Sequence, residues 1–483
     1  MSLKLPLIGW LAVAALLVPA STSFAGDEDA AAIQARLARV ADLRDGAMQS
    51  DYAMSQLTLL SDSIGPRPSG SPQAAAAVTA VAAAMRALGA TVSLQPVKVP
   101  HWVRGEEKAE LVDYPGRPEG VSQRIVLAAL GGSVATPGKG LKRELLVVRS
   151  MAELEQRAAE IRDRIVLISV PFDQNLADNG RPGPAYVQGL IPRLHGPAAA
   201  AKLGAAAVLV RSIGGASYRL PHTGDTRWVD GGRRVPAAAV TVEDALLIER
   251  LAAQGPVTMK LLLTPKTLPD ADSYNVIADW PGRERPEEVV VVSGHLDSWD
   301  LGTGATDDGT GVVVAMASLQ LMKMLGLQPR RTIRFVGWMN EEIGLRGSAA
   351  YFAASKAGIA QQIAAIETDT GAGRPLGFQA NVTAASMARL EPLKQLLHSI
   401  GAPLIERSNG VVGADIEPLQ QAGVPGFQPL LDTRHYFDCH HSAADTLDKV
   451  DPDALRRHVA VMAMLAYWLA DLPEPLERLP VEP

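Results

Sequence analysis

Residues 288–311 read EVVVVSGHLDSWDLGTGATDDGTG. Val289, Val290, Val291 and Val292 form an unbroken β-branched run, the pattern of a strand buried on both faces in a parallel sheet. The run breaks into a glycine-rich loop that delivers His295, Asp297, Asp307 and Asp308. An imidazole and several carboxylates at the exit of a buried strand suit a hard-to-borderline divalent cation such as zinc. Two further acidic clusters, Glu341–Glu342 and Asp369, each close another apolar run. The loop GTGATDDGTG is not a phosphate cradle: its own carboxylates repel phosphate and no lysine follows.

Outward from this stretch, strands alternate with helices. RTIRFVGWMNEE (331–342) and the run before Asp369 read as strands, Thr310–Leu325 as a helix stopped by Gly326, and Pro452–Leu472 as a long terminal helix. YNVIADWPG is expected to pair with EEVVVVSGHLD, and residues 264–273 read as a linker. The expected fold is α/β: a mixed, mostly parallel sheet sandwiched by helices. In such sheets the functional crevice lies beyond the carboxyl ends of the strands, where His295, Asp297, Glu341, Glu342 and Asp369 all fall. Upstream, residues 27–50 and 51–63 read as helical. Ser71 is an N-cap before Pro72, and Gly89 stops the helix that follows.

Between residues 126 and 265 the texture changes to short strands, proline–glycine loops and one helix at GPAAAAKLGA. His195 and His222 stand alone there and read as structural or surface residues, so this segment is expected to be an inserted, mainly non-catalytic domain. The boundaries expected are a leader at 1–25, the first part of the catalytic domain at 26–125, the insert at 126–265 and the main catalytic part at 266–483.

The 483 residues are 47% hydrophobic with a formal charge of −6, enough for sizeable cores and without the basic block that nucleic acid requires. Lys4, the apolar run LPLIGWLAVAALLVPA, and Ser23 and Ala25 in a small-x-small pattern read as a cleaved signal peptide, hence export to the periplasm or beyond. No membrane contact is expected after cleavage. Cys439 is the only cysteine, so no intrachain disulfide forms.

The ordered motifs GHLDS, GATDDGTG, MNEEIGLRGS, ETDTGAG and HHSAADTLDKV resemble the M28 family of co-catalytic zinc aminopeptidases, nearest to its carboxypeptidase Q branch. The insert resembles a protease-associated domain. The resemblance implies two zinc ions, one held by His295, Asp307 and Asp369, the other by Asp307, Glu342 and His441. It implies Glu341 as general base to a water shared by the metals, Asp297 as the partner of the His295 ring N–H, and a cis peptide between Asp307 and Asp308. His441 is preferred over His440 because Asp445–Thr446 follows it at the family spacing; His440 is then a group that supports the ligands or meets the substrate. Tyr436 is a candidate oxyanion donor. Asp415 has two readings, a partner for the substrate's α-amino group or the N-cap of the next helix. The activity implied is hydrolysis of short peptides with free termini, as an aminopeptidase or dipeptidase, with carboxypeptidase-type cleavage or a metal-free binding protein on the same fold as alternatives. A homodimer is left open as the assembly. A serine hydrolase is not supported, since no G-x-S-x-G occurs.

Overall fold

The computed structural model describes residues 30–215 and 218–481, in two eight-stranded sheets. The proposed leader lies outside the described residues. The first sheet runs in the order Thr91–Val103, Lys266–Trp280, Arg331–Trp338, Arg285–His295, Gln362–Glu367, Gly426–Leu431, Pro375–Asn381 and Leu404–Arg407. Its four central strands, from Arg331–Trp338 to Gly426–Leu431, pair in parallel. The valine run divides as a doubly covered strand must. Val290 and Val292 enter the core under the helices Thr310–Leu325 and Pro452–Asp471, whereas Val289 and Val291 join Trp338, Tyr351 and Leu419 on the other face. Helix Thr310–Leu325 is buried on almost every side, as its mostly apolar sequence, with no polar face, requires.

The local signals act as read. Ser71 accepts from the Ala74 N–H at the start of Pro72–Leu88, which ends on left-handed Gly89. Asp451, not singled out in the sequence, accepts in the same way from the Ala454 N–H at the start of Pro452–Asp471. Two pairing expectations fail. Lys266–Trp280 does not pair with Arg285–His295; Arg331–Trp338 lies between them. A parallel pair needs a crossover, and Thr310–Leu325 supplies it, bringing the chain back beside the His295 strand. Nor is 264–273 a linker: Lys266–Trp280 pairs along its length with Thr91–Val103. Pro100 and Pro269 fall where that register shifts, the place in a ladder that tolerates missing donors.

The second sheet runs Gln123–Ile125, Glu107–Asp113, Thr258–Leu263, Leu141–Val148, Ile165–Ile168, Ala207–Arg211, Ala237–Val240 and Leu127–Ala129. It therefore begins at Glu107, ahead of the boundary expected at 126. Its helix also exceeds the expectation, running from Pro182 to Lys202 through Pro192 and Pro197. Prolines argue against a helix interior, and here the helix carries both. Among the described residues no helix is long and apolar enough to cross a membrane.

Candidate metal centre

The centre is assembled at the carboxyl ends of the parallel strands. His295 closes its strand with Nδ1 donating to the Asp297 carbonyl at 2.9 Å, which leaves Nε2 facing Asp307 Oδ1 at 3.1 Å and Asp369 Oδ1 at 3.5 Å. On the other side of Asp307, His441 Nε2 lies 3.2 Å from Oδ2 and 3.1 Å from Glu342 Oε2. His441 Nδ1 faces the Thr223 carbonyl at 3.2 Å, which sets the same tautomer. The two oxygens of one carboxylate thus face two imidazoles, with a further carboxylate on each flank.

His440 stacks on His441 at 3.6 Å and reaches Asp307 Oδ2 at 3.4 Å, but its Nδ1 is buried without a partner. Asp308 also lies near His295 and Asp369. Its carboxylate is occupied by backbone donors, His295 N at 3.0 Å and Gly311 N at 2.9 Å, so it shapes the loop. The Asp307–Asp308 peptide is cis.

Asp297 has a different role from the one expected. Its carboxylate oxygen is 3.9 Å from His295 Nδ1 and accepts instead from the backbone N–H groups of Asn340 and Glu341, at 2.7 and 3.1 Å. Its carbonyl sets the histidine tautomer and its carboxylate sets the acidic turn. Left-handed Asn340 redirects the chain there, so Glu341 and Glu342 both line the cavity although they are neighbours. Asp415 is buried and is not a cap: the following helix has Ile416 at that position, and both Asp415 carboxylate oxygens lack hydrogen-bond partners. Tyr436 lines the same cavity and packs on left-handed Gly371, where a Cβ would meet the ring at 2.5 Å.

Four residues outside the expected set hold the centre. Asp445 accepts from Thr306 N and Oγ1 at 2.6 and 2.8 Å and from Asp307 N at 3.3 Å, fixing the central carboxylate. Arg67, fully buried, donates to the carbonyls of Leu296, Thr303 and Gly304, each at 2.8 Å, and ties down the glycine loop. Glu367 accepts from Ala414 N and Ile416 N, which positions the Asp415 loop. His222, from the second sheet, faces the His440 carbonyl at 2.7 Å. Only Asp445 carried a signal, its spacing from His441. That segment is therefore not a bystander: Tyr186, Arg193 and Asp225 line the cavity of about 420 Å³ with Asp307, Glu341 and His441.

The charges are too alike to sit together alone. Burial, with Asp307 adding to it, pushes Glu342 up to about 7. Burial, with Asp369, Asp415 and Glu342 adding to it, pushes Glu341 well above the usual carboxylate range. Asp307 Oδ2 and Glu342 Oε1 are buried without hydrogen-bond donors. Carboxylate oxygens and imidazole nitrogens converging in this way are the donor set of a divalent cation, and the residues fit one.

An α/β sheet with imidazoles and carboxylates converging beyond its parallel strands has the donor set of a metal-binding enzyme site. Residues 275–466 match the model of peptidase family M28. Human carboxypeptidase Q is 39% identical over 425 residues, 88% of this chain and 86% of that protein. A peptidase M28 precursor from Shewanella amazonensis superposes with a TM-score of 0.87 at 33% identity, over 93% of this chain and all (100%) of that one. A zinc aminopeptidase from Bacillus subtilis shares the fold, with a TM-score of 0.62 at 20% identity over 88% of this chain and 98% of its own. The chain belongs to peptidase family M28 and is a metallopeptidase.

Proposed function

We propose that the protein is an exported two-zinc exopeptidase that hydrolyses short peptides with free termini, as an aminopeptidase or dipeptidase. One observation carries it: the two oxygens of Asp307 each face a different imidazole, His295 and His441. His295, Asp307 and Asp369 would hold one ion, and Asp307, Glu342 and His441 the other. Zinc supplies Lewis acidity, polarising the scissile carbonyl and making water easier to deprotonate. Glu341 takes the proton from the attacking water and delivers it to the leaving amine; its raised affinity for protons suits a group that must hold one in transit. Tyr436 donates to the developing oxyanion. Asp415, buried without a partner, receives the substrate's α-ammonium group, and His440 with Tyr436 forms a wall of the substrate pocket. In this reading the second sheet is the protease-associated domain, and the leader at 1–25 exports the chain.

The test is elemental analysis of protein purified without chelator, together with hydrolysis of an unblocked dipeptide before and after chelation. Two zinc ions per chain and chelator-sensitive cleavage are expected. Metal-free protein, or turnover indifferent to chelation, would overturn the reading.

A further inference from the structure

The helix Pro182–Lys202 brings Arg193 from the second sheet to the catalytic cavity. Arg193 is only 5% exposed, and its guanidinium offers N–H donors in a planar fork. Nη1 lies 3.3 Å from the Thr223 carbonyl and 3.5 Å from His441 Nδ1, and Nε is buried without a hydrogen-bond partner. Among the described residues it forms no ion pair. The acid that feels its charge, Asp225, is itself pushed up by burial to about 6. Asp307 and Glu342, further inside, are committed to the cations of the proposed function. The seat is nevertheless built. The ring of Tyr186 lies 5.5 Å from the guanidinium carbon, and at Gly224, with φ of 144°, a Cβ would meet that carbon at 2.3 Å. A buried guanidinium that keeps an unmatched N–H has hydrogen-bonding capacity that an anionic ligand can take up.

We infer that Arg193 is a specificity-determining residue that receives the free α-carboxylate of the residue immediately after the scissile bond. This rests on the function proposed above and selects within it. The position follows from spacing: His441 presents Nδ1 to Arg193 and Nε2 to Asp307 and Glu342. One imidazole therefore separates the guanidinium from the metal donors, and an extended residue spans about 3.5 Å. Room remains for one residue between the reacting carbonyl and the carboxylate, so dipeptides fit best. With Asp415 at the amine, both ends of a dipeptide meet a buried polar group with hydrogen-bonding capacity to spare. A planar carboxylate also matches the guanidinium fork.

The experiment compares Ala-Leu with Ala-Leu amide on the zinc-loaded wild type, Arg193→Met and Arg193→Lys, with zinc content and thermal midpoint measured for each. The wild type is expected to favour the free acid in kcat/KM by about 10–100-fold, the range of a charge-assisted hydrogen-bonded pair. Arg193→Met should collapse that ratio toward one through a raised KM for the acid, and Arg193→Lys should restore part of it. Equal loss on both substrates would overturn the inference and show a role in holding Thr223 and His441. Should Arg193→Met fail to fold, the wild type still decides: equal cleavage of acid and amide sinks the carboxylate site and leaves the zinc peptidase standing. Absence of zinc and of all cleavage instead removes the proposed function itself.

Discussion

The two sheets are alike in their centres and unlike at their strand ends. In the first, Val290 and Val292 bury into one core and Val289 and Val291 into another; in the second, Ile165 and Leu167 divide from Val166 and Ile168 in the same way. Both are parallel strands covered on two sides, stabilised by about 1.5–3 kcal/mol for each large side chain removed from water. Beyond the strands they diverge. The first sheet ends in His295, the Glu341–Glu342 turn and Asp369, whereas Ile165–Ile168 and Ala207–Arg211 are followed by Ser169 and Ser212. The groupings able to hold a metal, among the described residues, draw on the first sheet, the loops after its strands or the His440–His441 loop, and none includes a residue of the second sheet. Equal core physics therefore supports one reacting site and one accessory unit, and the difference resides in the loops.

Several substitutions would break or sharpen that contrast. The largest effect is expected at Glu341, where Glu341→Gln should retain both metals and lower kcat by about 10²–10⁴-fold, the usual contribution of a positioned general base. Near-normal turnover with full zinc content would take the proton transfer away from this side chain. Next comes the paired-histidine loop. His441→Ala should release one zinc per chain in elemental analysis, and His440→Ala should retain both while raising KM. The reverse result would exchange their roles.

The second sheet's hold on that loop is measurable through pH. His222 is buried and its pKa is depressed to about 4, chiefly by burial. Because the folded value lies below the unfolded one of about 6.5, its contribution is present above pH 6.5 and is lost as pH falls toward 4. A shift of about 2.5 units corresponds to roughly 3 kcal/mol. Urea unfolding of the wild type should therefore weaken over that window, and His222→Gln should flatten the slope. An unchanged slope would show that the clasp on His440 does not depend on a neutral ring. The smallest effect is expected far from both sites. Ser71→Ala removes the N-cap of Pro72–Leu88 and should cost about 1 kcal/mol of stability with unaltered kcat/KM.

How much was legible follows the same division. Metal donors at strand ends leave compact motifs, so His295, Asp307, Glu342, Asp369 and His441 stand out along the chain, and the structure brings them together. The supporting groups leave no such trace. Arg67 reads as part of a proline–glycine turn, yet it donates to carbonyls more than two hundred residues away, at Leu296 and Gly304. Glu367 looks like the last residue of a strand and acts by holding the backbone of a loop at 414–416. Arg193 lies in a segment whose prolines argue against the helix that carries it.

Local order alone settled the strand that precedes His295, the cap at Ser71, the turn at Gly89 and the family to which the chain belongs. Those features depend on neighbours within a few positions, where side-chain period and capping chemistry act directly. Which carboxylate oxygen faces which imidazole, what Asp297 holds and where the second sheet lends an arginine were decided only by tertiary packing. Each depends on groups far apart in the chain, and only burial makes their unmatched charges and donors seek one another.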